Sequence, residues 1–282
     1  MVYNPKANIP DDDFDDEDLE EVGPTIPEPR MIRIPAGRFY MGTSDKQVMK
    51  LYNEQDWVRD WREDGLFRVE QPYHRITLDE FEIGLAPVTN EEYFRFVWET
   101  SYRLPKGWIG FRFVEGTAKH PVVNVNRADA LAYCKWLGET YRTTYRLPTE
   151  AEWERAARGV DGRIYPWGDS FDPWRCNTLE SAKGGTTPVG SYSPAGDSPE
   201  GAVDMIGNVW EWTNSLMAPY PYNPNPELPP NQRPLYVVRG GAWYYSKKLA
   251  RCASREGVMP DYTSNSLGFR LARSVVKPPR EE

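Results

Sequence analysis

The sequence predicts an α+β fold: a small twisted antiparallel sheet, flanking helices and much irregular loop. Three observations carry that reading. Segments with a helical apolar period or a capping box end at Gly159. Beyond it come only short strand-like runs, such as Tyr236-Val237-Val238-Arg239. The chain has 26 Pro and 22 Gly in 282 residues, which favours turns over long helices. Aromatic residues make up 13% of it, with 11 Trp and 17 Tyr, enough to build a core despite a mean hydropathy of −0.70.

In chain order, residues 1–28 come first and hold the run Asp11-Asp12-Asp13-Phe14-Asp15-Asp16-Glu17-Asp18-Leu19-Glu20-Glu21. Like charges at this density repel, so a disordered acidic tail is predicted. Its functional alternative is a segment that docks on a basic partner, with Phe14 and Leu19 as apolar anchors. One domain is predicted over 29–275, then a short C-terminal tail over 276–282. The alternation Met31-Ile32-Arg33-Ile34 reads as a strand. Residues 45–65, with Trp57 and Trp61, read as helical, and His74 to Ile83 as one strand. Thr89-Asn90-Glu91-Glu92 is a capping box, and Tyr93, Phe96 and Val97 form the stripe of the helix it opens. A second helix is predicted from Arg127 to Tyr141, with Ala128, Leu131, Ala132, Lys135 and Trp136 on its stripe. A third opens at Thr149 with Glu152 three residues on, buries Trp153, Ala156 and Ala157, and stops at Gly159. Leu267-Gly268-Phe269-Arg270-Leu271-Ala272-Arg273 reads as a last strand.

Composition narrows the partners. A net charge of −8 argues against nucleic acid and anionic membranes. No apolar run approaches the length of a membrane span, and the N-terminus lacks the pattern of a signal peptide. Cys134, Cys176 and Cys252 are odd in number and lack metal spacing, so a reducing compartment is expected, by default the cytoplasm. No Gly-x-Ser-x-Gly or phosphate-loop motif is present, so neither acyl nor nucleotide chemistry is indicated.

Seven blocks stand in order along the chain: Ile34-Pro35-Ala36-Gly37-Arg38-Phe39-Tyr40-Met41-Gly42; Pro87-Val88-Thr89-Asn90-Glu91-Glu92-Tyr93; His120-Pro121-Val122; Arg146-Leu147-Pro148-Thr149-Glu150-Ala151-Glu152-Trp153-Glu154; Tyr165-Pro166-Trp167-Gly168; Gly207-Asn208-Val209-Trp210-Glu211-Trp212; and Arg239-Gly240-Gly241-Ala242-Trp243 with Leu267-Gly268-Phe269-Arg270. With them, roughly residues 31–274 resemble the formylglycine-generating enzyme (sulfatase-modifying factor) family, whose fold is a variant of the C-type lectin fold. The resemblance implies that fold here.

The activity that the resemblance implies is less well supplied. The family's enzymes oxidise a client cysteine with copper held by two cysteines that follow the Arg-Gly-Gly-Ser motif. Here Tyr245 stands at the first of those positions, and the second falls among Lys247-Lys248-Leu249-Ala250. Copper is therefore not expected, since Cu(I) wants thiolate or thioether ligands. A second branch uses iron on several histidines. This chain has only His74 and His120, so iron is not expected either, and both rings are read as structural. A divergent metal-dependent oxidoreductase remains the alternative function. In the family, calcium is held at positions matching Asp204, Gly207, Val209 and Glu211, so calcium is the expected metal. The competing reading is a structural turn with Glu211 paired to an arginine. A second calcium at Asn177-Thr178 is doubtful, because Ser181 stands where an Asp is needed. Arg146, Arg155, Arg239, Arg251, Arg255 and Arg270 are read as ion-pairing with Glu150, Glu152, Glu154 or Asp261, rather than as an anion site.

Between the C-terminal anchors lies a run that neither helix nor strand explains. The candidate binding residues are Trp243, Tyr244, Tyr245, Ser246, Cys252, Ser254, Tyr262, Thr263, Ser264, Asn265 and Ser266, with Gly257 among them. In one subgroup of the superfamily, a diversity-generating retroelement randomises adenines of asparagine codons in this region. All of these residue types except Trp are reachable that way. Tyr gives amphipathic contact area at low entropy cost, and Ser and Asn adapt their hydrogen bonds. The expected function is therefore non-enzymatic binding of a protein or small molecule at this surface. The alternative is that the tyrosines pack in the core, as Trp243 and Phe269 are expected to do.

Overall fold

The computed structural model describes residues 27–275 except residue 111. The acidic tail expected over 1–28 lies outside the described residues but for its last two positions, and the tail over 276–282 lies wholly outside them. The elements run β1 (Met31–Ile34), β2 (Gly37–Met41), α1 (Asp45–Glu54), α2 (Val58–Glu63), β3 (His74–Leu78), β4 (Phe81–Gly84), α3 (Asn90–Thr100), α4 (Arg127–Tyr141), α5 (Glu150–Arg158), β5 (Trp210–Leu216), β6 (Tyr236–Arg239), β7 (Arg255–Val258), β8 (Leu267–Phe269) and β9 (Ala272–Ser274). This is the expected α+β architecture, but with three sheets among the described residues instead of one. Their orders are β1-β4-β9, β2-β3 and β7-β6-β5-β8. All pairings are antiparallel except β5 with β8.

Two segments read as single strands are each divided. His74 to Ile83 breaks at Asp79-Glu80, so that β3 joins the β2 ribbon and β4 joins β1. The last segment breaks at Arg270-Leu271, so that β8 lies on β5 and β9 on β4. At the first break two polar residues in succession, Asp79-Glu80, shift the alternation by one position, whereas at the second the alternation runs on through Leu271 and marks nothing.

The helices follow their local chemistry. Thr89 accepts the Glu92 amide, and Glu92 returns to the Thr89 amide at 2.7 Å. Thr149 and Glu152 do the same for α5. α3 and α4 pack through Tyr93, Phe96, Tyr133 and Leu137 against Trp210, Trp212 and Phe269 of the four-stranded sheet. Tyr93 stacks on Tyr133 with ring centroids 5.6 Å apart. The stripe of α4 differs from expectation: Ala130, Tyr133, Cys134 and Leu137 are buried, while Ala128 and Lys135 are exposed. Both stripes have helical spacing, and the one that carries Lys135 is not the one that goes inside.

α5 is buried along its whole length, charged residues included. Its carboxylates meet arginines brought from far along the chain. Glu154 binds Arg158 and Arg239, and Glu150 binds Arg255. Beside them Glu70 takes both ends of the Arg251 guanidinium at 2.7 Å. Buried charge costs heavily unless it is paired and hydrogen-bonded, and here it is both. Ion pairing is thus the role of these arginines, with Arg270 on Glu211, although Glu70 and Glu200 were not among the expected partners and Asp261 is exposed.

Candidate functional site

The surface is built where β6 ends. Arg239 is fixed inside the ion-pair network, and Gly240 then turns the chain with φ 101°. A Cβ there would stand 3.1 Å from the Met205 carbonyl and 3.2 Å from the Trp153 ring, so glycine is needed twice over. Ala242 is fully buried, and the Trp243 amide donates to Asn208 O at 3.1 Å. The next residues face outward from that anchor. The Tyr244 hydroxyl donates to that of Tyr245 at 3.2 Å, with the ring centroids 4.4 Å apart. Ser264 and Ser266 Oγ lie 2.9 Å apart. Hydrogen bonding with Ser266, then with Tyr245 and Ser264, pulls the Tyr244 phenol below its ordinary pKa. Burial first, and the bond to Tyr244 second, push Tyr245 the other way. Four hydroxyls thus form one neutral cluster.

Not every candidate reaches this surface. Tyr244 is 38% and Tyr262 45% exposed, and Thr263 and Asn265 are exposed too. Tyr245, Ser246, Gly257 and Ser264 are half-buried, and Tyr245 sets its ring edge-on to Trp210 at 5.6 Å. Trp243, expected in the core, is also half-buried, with Nε1 donating to Asn265 O at 3.2 Å. Phe269 is fully buried, as expected. Cys252, Ser254 and Ser266 do not belong to the face, being at most 1% exposed. Cys252 packs with Trp153 and Met205, and burial pushes its thiol up to about 12. Ser254 lends its carbonyl to Arg239, and Ser266 supports the cluster from beneath. The sequence pattern could not separate these, because small polar residues suit a buried turn as well as a surface.

Two further groups complete the surface. Leu179, 57% exposed, donates its amide to Tyr245 O at 3.0 Å. Glu180 accepts the Lys247 amide at 2.9 Å. Neither carried a sequence signal, since their partners lie more than sixty residues away.

The expected calcium ligands do not stand free together. Glu211 accepts Trp153 Nε1 at 2.8 Å, and Arg270 through Nε at 2.6 Å and Nη2 at 2.7 Å. Arg270 Nη2 also donates to the carbonyls of Val203 and Asp204. The Arg270 guanidinium thus links the Glu211 carboxylate to the backbone at Val203 and Asp204. Asp204 accepts the Gly190 amide at 2.8 Å, and its burial raises its pKa to about 6. Gly207 and Val209 shape the buried turn. Among the described residues no group of three or more His, Cys, Asp and Glu could hold a metal ion. Glu211 is paired to an arginine, the contact that the competing reading names. His74 bridges Pro72 O and the Tyr222 amide, while His120 bonds Thr186. Both rings are structural.

A family model described as the sulfatase-modifying factor enzyme 1-like domain matches residues 17–275. The chain belongs to that family. Sulfatase-modifying factor relatives include the inactive C-alpha-formylglycine-generating enzyme 2 of Bos taurus, 32% identical over 89% of this chain and 90% of that protein. The formylglycine-generating enzyme of Mus musculus is 31% identical, over 86% of this chain and 74% of its own length. Among solved structures, PvdO from Pseudomonas aeruginosa superposes with a TM-score of 0.70 at 25% identity, over 88% of this chain and 95% of that one. Treponema denticola variable protein 1 gives 0.67 at 22% identity, over 86% and 94%, which shows the shared fold alone. Among the described residues no helix is long and apolar enough to cross a membrane.

Proposed function

We propose that this protein binds a ligand without chemistry, at the face formed by Trp243, Tyr244, Tyr245, Ser246, Tyr262, Thr263, Ser264 and Asn265, with Leu179 at its margin. The observation that carries the reading is the uncharged hydroxyl cluster of Tyr244, Tyr245 and Ser264, which opens to solvent at Tyr244 and sits on a turn anchored by the buried Arg239. Rigid aromatic anchors beside small adaptable polar groups suit recognition. The oxidase reading lacks its chemistry: Tyr245 and Lys247-Lys248-Leu249-Ala250 offer no thiol where the family's enzymes hold copper. One relative at 32% identity is itself named inactive.

The test has two arms. Peptides from a displayed library should enrich on the native protein and be lost on a Tyr244→Ser/Tyr262→Ser variant that melts normally. A sulfatase-type cysteine peptide, with copper and oxygen present, should keep its cysteine. Conversion of that cysteine to formylglycine would overturn the proposal. So would enrichment that ignores both substitutions. Diversification by a retroelement is a separate question, decided by whether a near-copy of these codons lies beside a reverse-transcriptase gene.

A further inference from the structure

The two-stranded ribbon of β2 and β3 has one buried and one exposed face. Phe39 and Met41 point into a small core with Ala151 and Tyr220. The exposed face carries Arg38, Tyr40, Arg75 and Thr77, with Tyr40 opposite Arg75 and Arg38 opposite Thr77 in the register. The two arginines are therefore diagonal neighbours on one face, within reach of a single anionic segment. Elsewhere Arg146, Arg158, Arg239, Arg251, Arg255, Arg270 and Arg273 each hold a carboxylate. Arg38 and Arg75 hold none among the described residues. Beside them Tyr40, 43% exposed, stacks on Tyr73 with centroids 4.9 Å apart, an aromatic platform next to two unmatched cations.

We propose that this face is the docking site for the acidic segment 11–21 of the same chain. Charge complementarity is the first argument. Nine of the eleven residues 11–21 are Asp or Glu, in a protein of net charge −8 whose ribbon presents two unpaired guanidinium groups. Shape is the second. Phe14 and Leu19 interrupt the acidic run, and Tyr40 offers them an apolar surface between the charges. Reach is the third. Glu28 is fixed by Tyr145 and Arg273, at 2.7 and 2.9 Å. Six residues lie between position 21 and Glu28, and the seven steps that join them allow about 24 Å of extended chain. The ribbon's first strand begins nine residues after Glu28, with only β1 between them. Exposed ion pairs are individually weak. A tether raises the local concentration of the segment to about the millimolar range, which lets several weak contacts act together. An outside polyanion would have to displace the tail to reach this face.

Zero-length carbodiimide coupling of the full chain tests the proposal. In an Arg38→Lys/Arg75→Lys variant, which keeps both charges, the amines become able to form amides with tail carboxylates. Mass spectrometry of the monomer band should place the cross-links between positions 38 or 75 and residues 11–21. Their yield should exceed that from the exposed Lys106 and Lys135 about tenfold. Raising the salt to about 1 M, where the screening length is about 3 Å, should abolish the preference. Cross-links spread evenly over surface lysines, or none to the tail, would overturn the proposal. Cross-links found only in a dimer band would overturn it too, and assign the face to a second copy. The charge-removing variant Arg38→Ser/Arg75→Ser should expose Glu17, Glu20 and Glu21 to faster cleavage by a glutamate-specific protease, and an unchanged rate would count against docking. None of these readings depends on the Tyr244 surface, so the proposal can fail without that one.

Discussion

Burial decides which aromatic residues are free to meet a ligand. Tyr244 and Tyr262 stand outside the core, and cutting both to Ala should leave stability within about 0.5 kcal/mol per site. Phe269→Ala, in the main core, should cost about 3–5 kcal/mol. Thermal melts of the two variants side by side check this, and a collapse of the double tyrosine variant would return those rings to the core. Trp243→Ala should fall between them, because its ring is half-buried and its indole holds Asn265. Charge obeys a stricter rule. Glu154 is the shared partner of Arg158 and Arg239, all three sealed from water. Glu154→Ala leaves two buried guanidinium groups facing each other, and should cost about 3–5 kcal/mol in denaturant unfolding. The sequence showed the arginines but not their partners. Arg251 finds Glu70 across 181 positions, a distance over which no period operates.

At the scale of elements, local chemistry was legible and long-range pairing was not. α3 and α5 begin at the residues their capping boxes name, because a cap is complete within four residues. The ends of β3 and β8 depend on which strand lies alongside; the slip at Asp79-Glu80 hinted at the first break, while the one at Arg270 was invisible. The candidate surface divided the same way: Tyr244 and Tyr262 are exposed, Tyr245 is half-buried against Trp210, and Cys252, Ser254 and Ser266 were not distinguishable from loop residues. Turns with forced geometry are testable here. Gly207 has φ 77°, and a Cβ on it would come within 2.4 Å of Asn177 O. Gly207→Ala should therefore destabilise by at least about 1–3 kcal/mol, measured by chemical denaturation, although it adds only a methyl group. A normal unfolding curve would mean that the turn can relax.

For the molecule as a whole, the family fold was readable because seven blocks keep their order, whereas metal content could not be read from residue types alone. Arg270 already pairs with Glu211, so calcium and a chelator are expected to give the same melting temperature. A native-state ligand at a hundredfold excess over its Kd would raise stability by about 2.7 kcal/mol, and a shift of that size would restore the calcium reading. One property follows from the way the chain closes. β1 opens a sheet near residue 31 that β9 completes near residue 274, through β4 between them. A ribosome adding about 5–20 residues per second needs about 12–50 s to pass from one to the other. The β4 edge that will receive β9 stays unpaired for most of that time, from the synthesis of Gly84 to that of Ala272. Folding of this body thus waits for its last strand, and a nascent chain stalled before Ala272 should remain open to protease while one that includes β9 does not.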